Sequence, residues 1–160
     1  GNDTMILQIV GFKNSGKTTL MQHTIQFLKS YGYTIVTIKH HGHIGDDITL
    51  QEDHVDHMKH FNAGADQSIV QGEHYQQTVT RAYKQNLTQM IDQSVTIDCN
   101  IILVEGFKDE HFDKVVVYQT TEELEQLKQL TGVKYCYYVH DKHALSQYDY
   151  WLLQWIEQRD

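Results

Sequence analysis

The stretch GFKNSGKT (residues 11–18) decides the fold of this chain. It matches the phosphate-loop pattern G-x-x-x-x-G-K-[ST] at every fixed position. A strand-like apolar run precedes it at residues 5–10, and a segment with helical spacing follows at residues 20–28. In this arrangement, successive backbone N–H groups surround the phosphates of a nucleotide, and the helix directs the positive end of its dipole toward them. The pattern therefore predicts binding of a nucleoside triphosphate.

The fixed residues of this loop have separate chemical roles. Gly11 and Gly16 allow backbone angles and close approaches that a Cβ atom would block. Lys17 would reach the β- and γ-phosphates, which makes it a candidate catalytic residue, and the Thr18 hydroxyl would bind Mg²⁺. The loop residues that we expect to contact the nucleotide are Gly11, Asn14, Ser15, Gly16, Lys17, Thr18 and Thr19.

A second nucleotide signal is the apolar run of residues 101–104, followed by Glu105 and Gly106. An acidic residue at the end of such a strand often holds Mg²⁺, directly or through water. Glu105 is one methylene longer than the usual Asp, so it could instead orient an attacking water. We therefore take Glu105 as a candidate catalytic residue and metal ligand, with an ordinary solvent-facing carboxylate as the alternative. Gly106 would let the backbone lie close to the γ-phosphate.

The composition limits the class of protein. A chain of 160 residues predicts a single domain over residues 5–160, with residues 1–4 as a remnant of an expression tag. The formal net charge of −8 argues against nucleic acid and anionic membranes as partners. Cys99 and Cys136 adjoin strand-like sequence, which predicts buried free thiols in a reducing compartment, the cytoplasm.

Strand-like and helical segments alternate along the chain. This alternation predicts an α/β, P-loop NTPase-like fold with a largely parallel β-sheet flanked by helices. Two short alternating segments around Gly72 predict an antiparallel hairpin appendage, and Thr121 is the expected N-cap of a short helix. The predicted strands are residues 5–10, 34–38, 67–71, 77–80, 101–104, 115–118 and 133–139, and the main helices are residues 17–31, 53–62, 85–93 and 146–158.

Histidine is abundant, with 11 residues, and many lie between residues 40 and 60. His54, His57 and His60 advance by three along a predicted helix, so their side chains drift around it and do not converge on one metal ion. A loop after the second strand would instead place Lys39 and His40, with His41 and His43, beside the triphosphate or an anionic second substrate. Candidate further ligands of Mg²⁺ are Asp46, Asp47, Asp53 and Asp56.

The residues alone leave the base open between guanine and adenine. The guanine-recognition pattern Asn-Lys-x-Asp does not occur, and the nearest string, residues 140–143, does not match it. Arginine is scarce, because Arg81 and Arg159 are the only arginines and neither adjoins a motif. Slow hydrolysis of the nucleotide is therefore expected. One alternative function is a small-molecule kinase, although such enzymes usually close arginines over the transferred phosphate. A second alternative is a structural adaptor.

Several of these segments together resemble the MobB family, the molybdopterin-guanine dinucleotide biosynthesis proteins B. The resemblance is carried by the phosphate loop with the strand before it, by Ile38-Lys39-His40, by Ala63-Gly64-Ala65 and by residues 103–108. It extends from Met5 to about Tyr118 and is weaker beyond.

The resemblance implies a GTP-binding protein with Mg²⁺ and weak intrinsic hydrolysis, usually a homodimer. Such a protein would assist a MobA-like guanylyltransferase that joins GMP to molybdopterin, so an accessory role is favoured over an enzyme in its own right. The family's strand-end acid corresponds to Glu105. The acid of its Gly-Lys-Asp-Ser stretch corresponds to Asp56, while the Lys and Ser of that stretch are replaced here.

Overall fold

The computed structural model of the protein describes residues 3–41, 48, 50 and 56–158, and of His57 only the backbone. The chain divides into two compact units. The first comprises Gly1–Gly42 with Gln93–Asp160, and the second comprises His43–Asp92. A single domain over residues 5–160 and a tag remnant before it remain predictions.

The described residues form strands and helices in the order that the sequence predicts. The strands are β1 (Met5–Gly11), β2 (Ile35–Lys39), β3 (Gln67–Gln71), β4 (Gln76–Thr80), β5 (Ile101–Glu105), β6 (Asp113–Tyr118) and β7 (Val133–Tyr138). The helices are α1 (Lys17–Ser30), α2 (Asp56–Asn62), α3 (Leu87–Ser94), α4 (Thr121–Leu127) and α5 (Ala144–Glu157). The first residues of the predicted helix 53–62 lie outside the described residues.

A five-stranded parallel sheet in the order β2-β5-β1-β6-β7 forms the centre of the first unit. The predicted α/β class with a largely parallel sheet is therefore confirmed. β5 is buried along its whole length, as expected for a central strand covered on both faces. In the register of the sheet, Ile9 pairs with Glu105 and Gly11 pairs with Val117, so the phosphate loop and Glu105 leave the same edge.

The core of the first unit lies on both faces of this sheet. On one face, α1 and α5 pack against β1 and β5 through a cluster that includes Leu20, Leu28 and Leu152. On the other face, Leu127 of α4 packs against Val10 and other buried strand residues. Burial of this apolar surface packs α1 against β1 on one face of the sheet, and this packing fixes the position of the loop that connects them.

The second unit contains the predicted hairpin, which the structure confirms as the antiparallel pair β3–β4. Arg81, directly after β4, holds this unit together. Its guanidinium donates hydrogen bonds to the backbone oxygens of Ala65 (3.1 Å) and Phe61 (2.8 Å) and lies 4.0 Å from the centre of the Phe61 ring. These contacts join the hairpin to the end of α2.

Two local predictions are wrong. The N-cap of α4 is Thr120 and not Thr121, because Thr120 is extended and its hydroxyl accepts a hydrogen bond from the Glu123 backbone N–H at 3.1 Å. The two cysteines are free, but Cys99 is half-buried and Cys136 is exposed. Cys136 lies on β7, an edge strand whose side chains alternate between half-buried and exposed, so strand-like sequence did not imply burial there.

Within the described residues, no helix combines the length and the apolar character needed to cross a membrane.

Candidate functional site

The phosphate loop runs from the end of β1 to the start of α1. Asn14 and Gly16 adopt left-handed backbone conformations, with φ of 62° and 103°. Glycine adopts this region without strain, and asparagine tolerates it better than most residues do. The Ser15 backbone N–H donates to the Phe12 oxygen at 3.1 Å, which closes the turn. When right- and left-handed backbone conformations alternate in such a loop, successive N–H groups point into one concave surface, which is suited to an anion.

Gly11 and Ser15 are in close contact inside this loop. A Cβ atom on Gly11 would lie 2.7 Å from the Ser15 hydroxyl oxygen and 2.7 Å from the Val117 backbone oxygen, so only glycine fits there. The Ser15 hydroxyl is buried and has no hydrogen-bond partner among the residues that the structure describes. A buried hydroxyl without a partner is costly unless a ligand or water completes it. A cavity of about 330 Å³ is lined by Asn14, Ser15, Gly16, Lys17, Thr18 and Thr19.

Glu105 connects the phosphate loop to β2. The Thr18 hydroxyl donates to Glu105 Oε1 at 3.3 Å, and Lys39 Nζ lies 3.0 Å from Glu105 Oε2. Glu105 is 8% exposed, whereas the Lys39 side chain is 62% exposed. The Thr18 hydroxyl and the Glu105 carboxylate are hard oxygen donors of the kind Mg²⁺ prefers, so these residues could hold this ion together with water and phosphate oxygens.

Lys17 lies among charges of both signs. Burial lowers the pKa of its ammonium, the Glu105 carboxylate opposes this shift, and the charges of Lys39 and Lys108 add to the lowering. The charged form of Lys17 is thus less favourable than that of an exposed lysine. A polyanion in the cavity would neutralise this cluster and favour the ammonium, so the arrangement is suited to phosphate.

The chain after Glu105 turns sharply past His40. Gly106 and Phe107 have positive φ angles of 94° and 56°, and the Phe107 ring packs 4.5 Å from the His40 ring. A Cβ atom on Gly106 would lie 3.3 Å from His40 Cβ. Lys39, His40, Glu105 and Gly106 therefore form one wall beside the loop, because β2 and β5 are neighbours in the sheet.

Gln8 supports this wall and was missed at the sequence level. Its side chain is buried in β1, and its Nε2 donates to the backbone oxygens of Gly106 (3.0 Å) and Phe107 (2.7 Å). Its Oε1 accepts from the Phe112 N–H at 3.2 Å. Gln8 is polar within an otherwise apolar strand, and that feature was the available signal, since a buried amide needs partners.

Lys114 is a second residue that the sequence did not single out. Although it is charged, its side chain is fully buried in β6. Its ammonium donates to the backbone oxygens of Glu110, Phe112 (3.2 Å) and Thr131 (2.8 Å). Burial lowers the pKa of this ammonium, while nearby carboxylates including Glu110 oppose the shift. Lys114 thus fixes the loop between β5 and β6 to the turn before β7.

Comparison with known proteins identifies the family. The family model described as "Molybdopterin guanine dinucleotide synthesis protein B", MobB, matches residues 6–135. The chain belongs to the MobB family. A probable molybdopterin-guanine dinucleotide biosynthesis adapter protein from Bacillus subtilis is 34% identical over 132 residues, which cover 82% of this chain and 75% of that protein.

Other MobB relatives agree in sequence and in fold. A molybdopterin-guanine dinucleotide biosynthesis adapter protein from Haemophilus influenzae is 29% identical over 122 residues, covering 74% of this chain and 65% of the relative's length. The crystal structure of Bacillus subtilis MobB has a TM-score of 0.76 at 29% identity, covering 94% of this chain and 96% of that one. A MobB homologue from Bacillus stearothermophilus shares the fold, with a TM-score of 0.74 at 24% identity over 96% of this chain and 98% of its own.

The remaining candidate ligands of this MobB chain have a different status. Asp56 belongs to the second unit, where its side chain is 95% exposed and lies 3.8 Å from Lys59 Nζ. Its predicted contact with Mg²⁺ remains a prediction. Among the described residues, no group of three or more His, Cys, Asp or Glu side chains could hold a metal ion. The candidates His43, Asp46, Asp47 and Asp53 lie outside that part of the chain, as do His54 and the His57 side chain, for which no metal site was predicted.

Proposed function

We propose that this chain binds Mg²⁺·GTP at its phosphate loop and acts as an adapter for a MobA-like guanylyltransferase that joins GMP to molybdopterin. The observation that carries the proposal is the contact between Thr18 and Glu105, 3.3 Å long, at the edge of the loop. It brings the loop hydroxyl and the strand-end carboxylate together, as a Mg²⁺-dependent nucleotide site requires. Membership of the MobB family and the names of the relatives support the biosynthetic role.

The chain's own residues divide the work of holding GTP. The backbone N–H groups of the loop and Lys17 would contact the phosphates, while Thr18 and Glu105 would hold Mg²⁺, which neutralises charge between the β- and γ-phosphates. Lys39 pairs with Glu105 in the structure. Binding of Mg²⁺ would compete for that carboxylate, which frees the Lys39 ammonium to face the terminal phosphate.

Weak GTP hydrolysis is expected because the positively charged side chains around the phosphate loop are lysines. Lys17, Lys39 and Lys108 supply positive charge there. Fast GTP hydrolysis usually needs an arginine that stabilises the transition state. Arg81, the arginine among the described residues, donates to two backbone oxygens of the second unit. The nucleotide would therefore persist long enough to act as a signal or a delivered substrate for the partner.

The β3–β4 hairpin is the proposed homodimer element of this cytoplasmic adapter. An isolated two-stranded hairpin is marginal in water and usually packs on something. Ile69 on β3 is 59% exposed. We expect a dimer by sedimentation equilibrium, and Ile69→Lys should shift the equilibrium toward monomer. A wild-type protein that stays monomeric at all concentrations would contradict the dimer.

Reconstitution of cofactor synthesis tests the adapter role. A guanylyltransferase is incubated with molybdopterin and GTP, with and without this protein, and the guanine dinucleotide cofactor is measured by mass spectrometry. The wild type should accelerate formation, and Lys17→Ala should not. Lys134→Ala, which removes an exposed lysine on β7, is the matched control and should act as the wild type does. Absence of stimulation by the wild type would reject the role.

A further inference from the structure

The position of Thr18 and Glu105, the proposed ligands of Mg²⁺, indicates on which side of the phosphate loop the nucleoside part of GTP would lie. In the sheet, β1 has β5 and then β2 on one side, and β6 and then β7 on the other. Thr18 contacts Glu105 of β5, and Lys39 of β2 lies beside it. Thr18 and Glu105 would hold Mg²⁺ and so neutralise terminal phosphate charge, which would put the terminal phosphate on the β5 side. The α-phosphate and the nucleoside must then extend toward β6 and β7.

The segments that follow β6 and β7 border the phosphate loop on this second side. Gln119, directly after β6, donates from Nε2 to the Asn14 backbone oxygen at 3.1 Å. Val139, directly after β7, has its Cγ1 3.4 Å from the point where a Cβ atom on Gly16 would lie. Residues 138–141 are therefore adjacent to the loop, at the carboxyl edge of the sheet where ligands of parallel α/β folds bind.

Aromatic rings accumulate at this edge. The Tyr118 and Tyr138 rings stack with centroids 5.2 Å apart, and the His140 ring meets Tyr138 edge-on at 5.6 Å. Tyr138 is 39% exposed, and His140 is exposed as well. We call Tyr118, Tyr138 and His140 the aromatic shelf. Exposed rings of this kind provide a stacking surface for a planar base, whatever its identity.

Asp141 follows the aromatic shelf directly and supplies a hydrogen-bond acceptor. Its Oδ1 accepts from the His143 backbone N–H at 2.9 Å, which orients the carboxylate. Asp141 lies beside the shelf, because its backbone N–H donates to the Tyr138 backbone oxygen at 3.3 Å. A carboxylate has two acceptor oxygens and lone pairs beyond those used by one N–H group.

The chemistry of a carboxylate distinguishes the two purines. The guanine edge carries two neighbouring donors, the N1–H and the 2-amino group, whereas adenine presents an unprotonated N1 acceptor. An ionised carboxylate only accepts, so it pairs with guanine and repels the adenine nitrogen. We propose that the aromatic shelf and Asp141 form the base-binding subsite of this protein and that the Asp141 carboxylate selects guanine over adenine. This inference rests on the proposed binding of GTP at the phosphate loop.

Equilibrium binding separates the base subsite from the phosphate loop. Wild type, Asp141→Asn and the exposed-acid control Asp98→Asn are titrated, with Mg²⁺ present, with GTP, ATP, xanthosine triphosphate and inorganic tripolyphosphate. Asp141→Asn should lower the affinity for GTP about tenfold or more and leave the affinity for tripolyphosphate unchanged. It should raise the affinity for xanthosine triphosphate, because the O2 atom of xanthine can accept a hydrogen bond from the new amide N–H. Asp98→Asn should match the wild type. An asparagine can still accept the His143 N–H, so the turn is retained.

A second pair of variants tests the aromatic shelf. Tyr138→Ala should lower the affinities for GTP and ATP by the same factor, about fivefold or more, and leave the affinity for tripolyphosphate unchanged. Tyr138→Phe keeps the aromatic ring and should retain both nucleotide affinities. Equal affinity of the wild type for GTP and ATP, or unchanged GTP preference in Asp141→Asn, would overturn the assignment of Asp141 while the phosphate loop stands. If the wild type does not bind even tripolyphosphate, the proposed function falls and the base subsite falls with it.

Discussion

At the scale of single residues, the site depends on a few polar groups around the buried Glu105 carboxylate, whose charges are balanced against each other. Glu105 accepts from Thr18 and pairs with Lys39, while Lys17 carries a positive charge that its surroundings disfavour. Each of these groups would gain a favourable electrostatic interaction if a phosphate and a divalent cation bound together. The arrangement is therefore preorganised for a ligand of that composition.

The pH dependence of GTP affinity should report the state of Lys17. Since burial, Lys39 and Lys108 lower its pKa, the Lys17 ammonium loses its proton below the ordinary lysine value of 10.5. The phosphates favour the charged form, so GTP affinity should fall as the pH rises through this lowered pKa. Isothermal titration at a series of alkaline pH values is carried out with GTP and with inorganic tripolyphosphate, because the guanine N1–H of GTP also loses its proton at alkaline pH. Lys17→Arg, whose guanidinium stays protonated, should flatten the tripolyphosphate profile, and an equal decline of tripolyphosphate affinity in both proteins would contradict the assignment.

Lys39 should act on the terminal phosphate more than on the rest of the nucleotide. Lys39→Met removes the ammonium that lies 3.0 Å from Glu105 Oε2. We expect GTP affinity to fall roughly two- to fivefold relative to GDP affinity, a modest effect because the Lys39 side chain is largely exposed. Competition titrations give the ratio of the two affinities. Lys39→Arg should retain most of it, and an unchanged ratio in Lys39→Met would place Lys39 away from the γ-phosphate.

At the scale of elements, local sequence signals predicted which strands and helices form, although the N-cap of α4 lies one residue earlier than predicted. The phosphate loop follows from glycine spacing between β1 and α1, and Glu105 follows from its place at the end of β5. Gln8 was missed because its carbonyl partner at Gly106 lies 98 positions away in the chain. The exposure of Cys136 depends on β7 being an edge strand, which is a property of sheet order and not of local composition.

The buried ammonium of Lys114 should contribute strongly to stability. Lys114→Met fills the same space but leaves the backbone oxygens of Glu110, Phe112 and Thr131 without this donor. We expect the free energy of unfolding to fall by about 2–4 kcal/mol, measured by urea denaturation. Lys128→Met is the control, since Lys128 is partly exposed and pairs with Glu125 at 3.6 Å. It should change stability by less than about 1 kcal/mol, and equal losses in both variants would contradict the role of Lys114.

At the scale of the whole molecule, the first unit is a parallel α/β sheet that presents the phosphate loop, Glu105 and the aromatic shelf along one edge. The second unit carries Asp56 and the β3–β4 hairpin. The family and the fold follow from sequence and structure together, whereas the partner and the base selectivity are proposed from the chemistry of the site.

Direct titration with GTP tests the central claim, binding of Mg²⁺·GTP at the phosphate loop. Wild type, Thr18→Val and Lys17→Ala are compared with Mg²⁺ present and after its removal by a chelator. We expect that the wild type binds GTP more tightly with Mg²⁺, that Thr18→Val loses this increase in affinity, and that Lys17→Ala loses binding altogether. GTP affinity that is the same in all three proteins, or absent from the wild type, would contradict it.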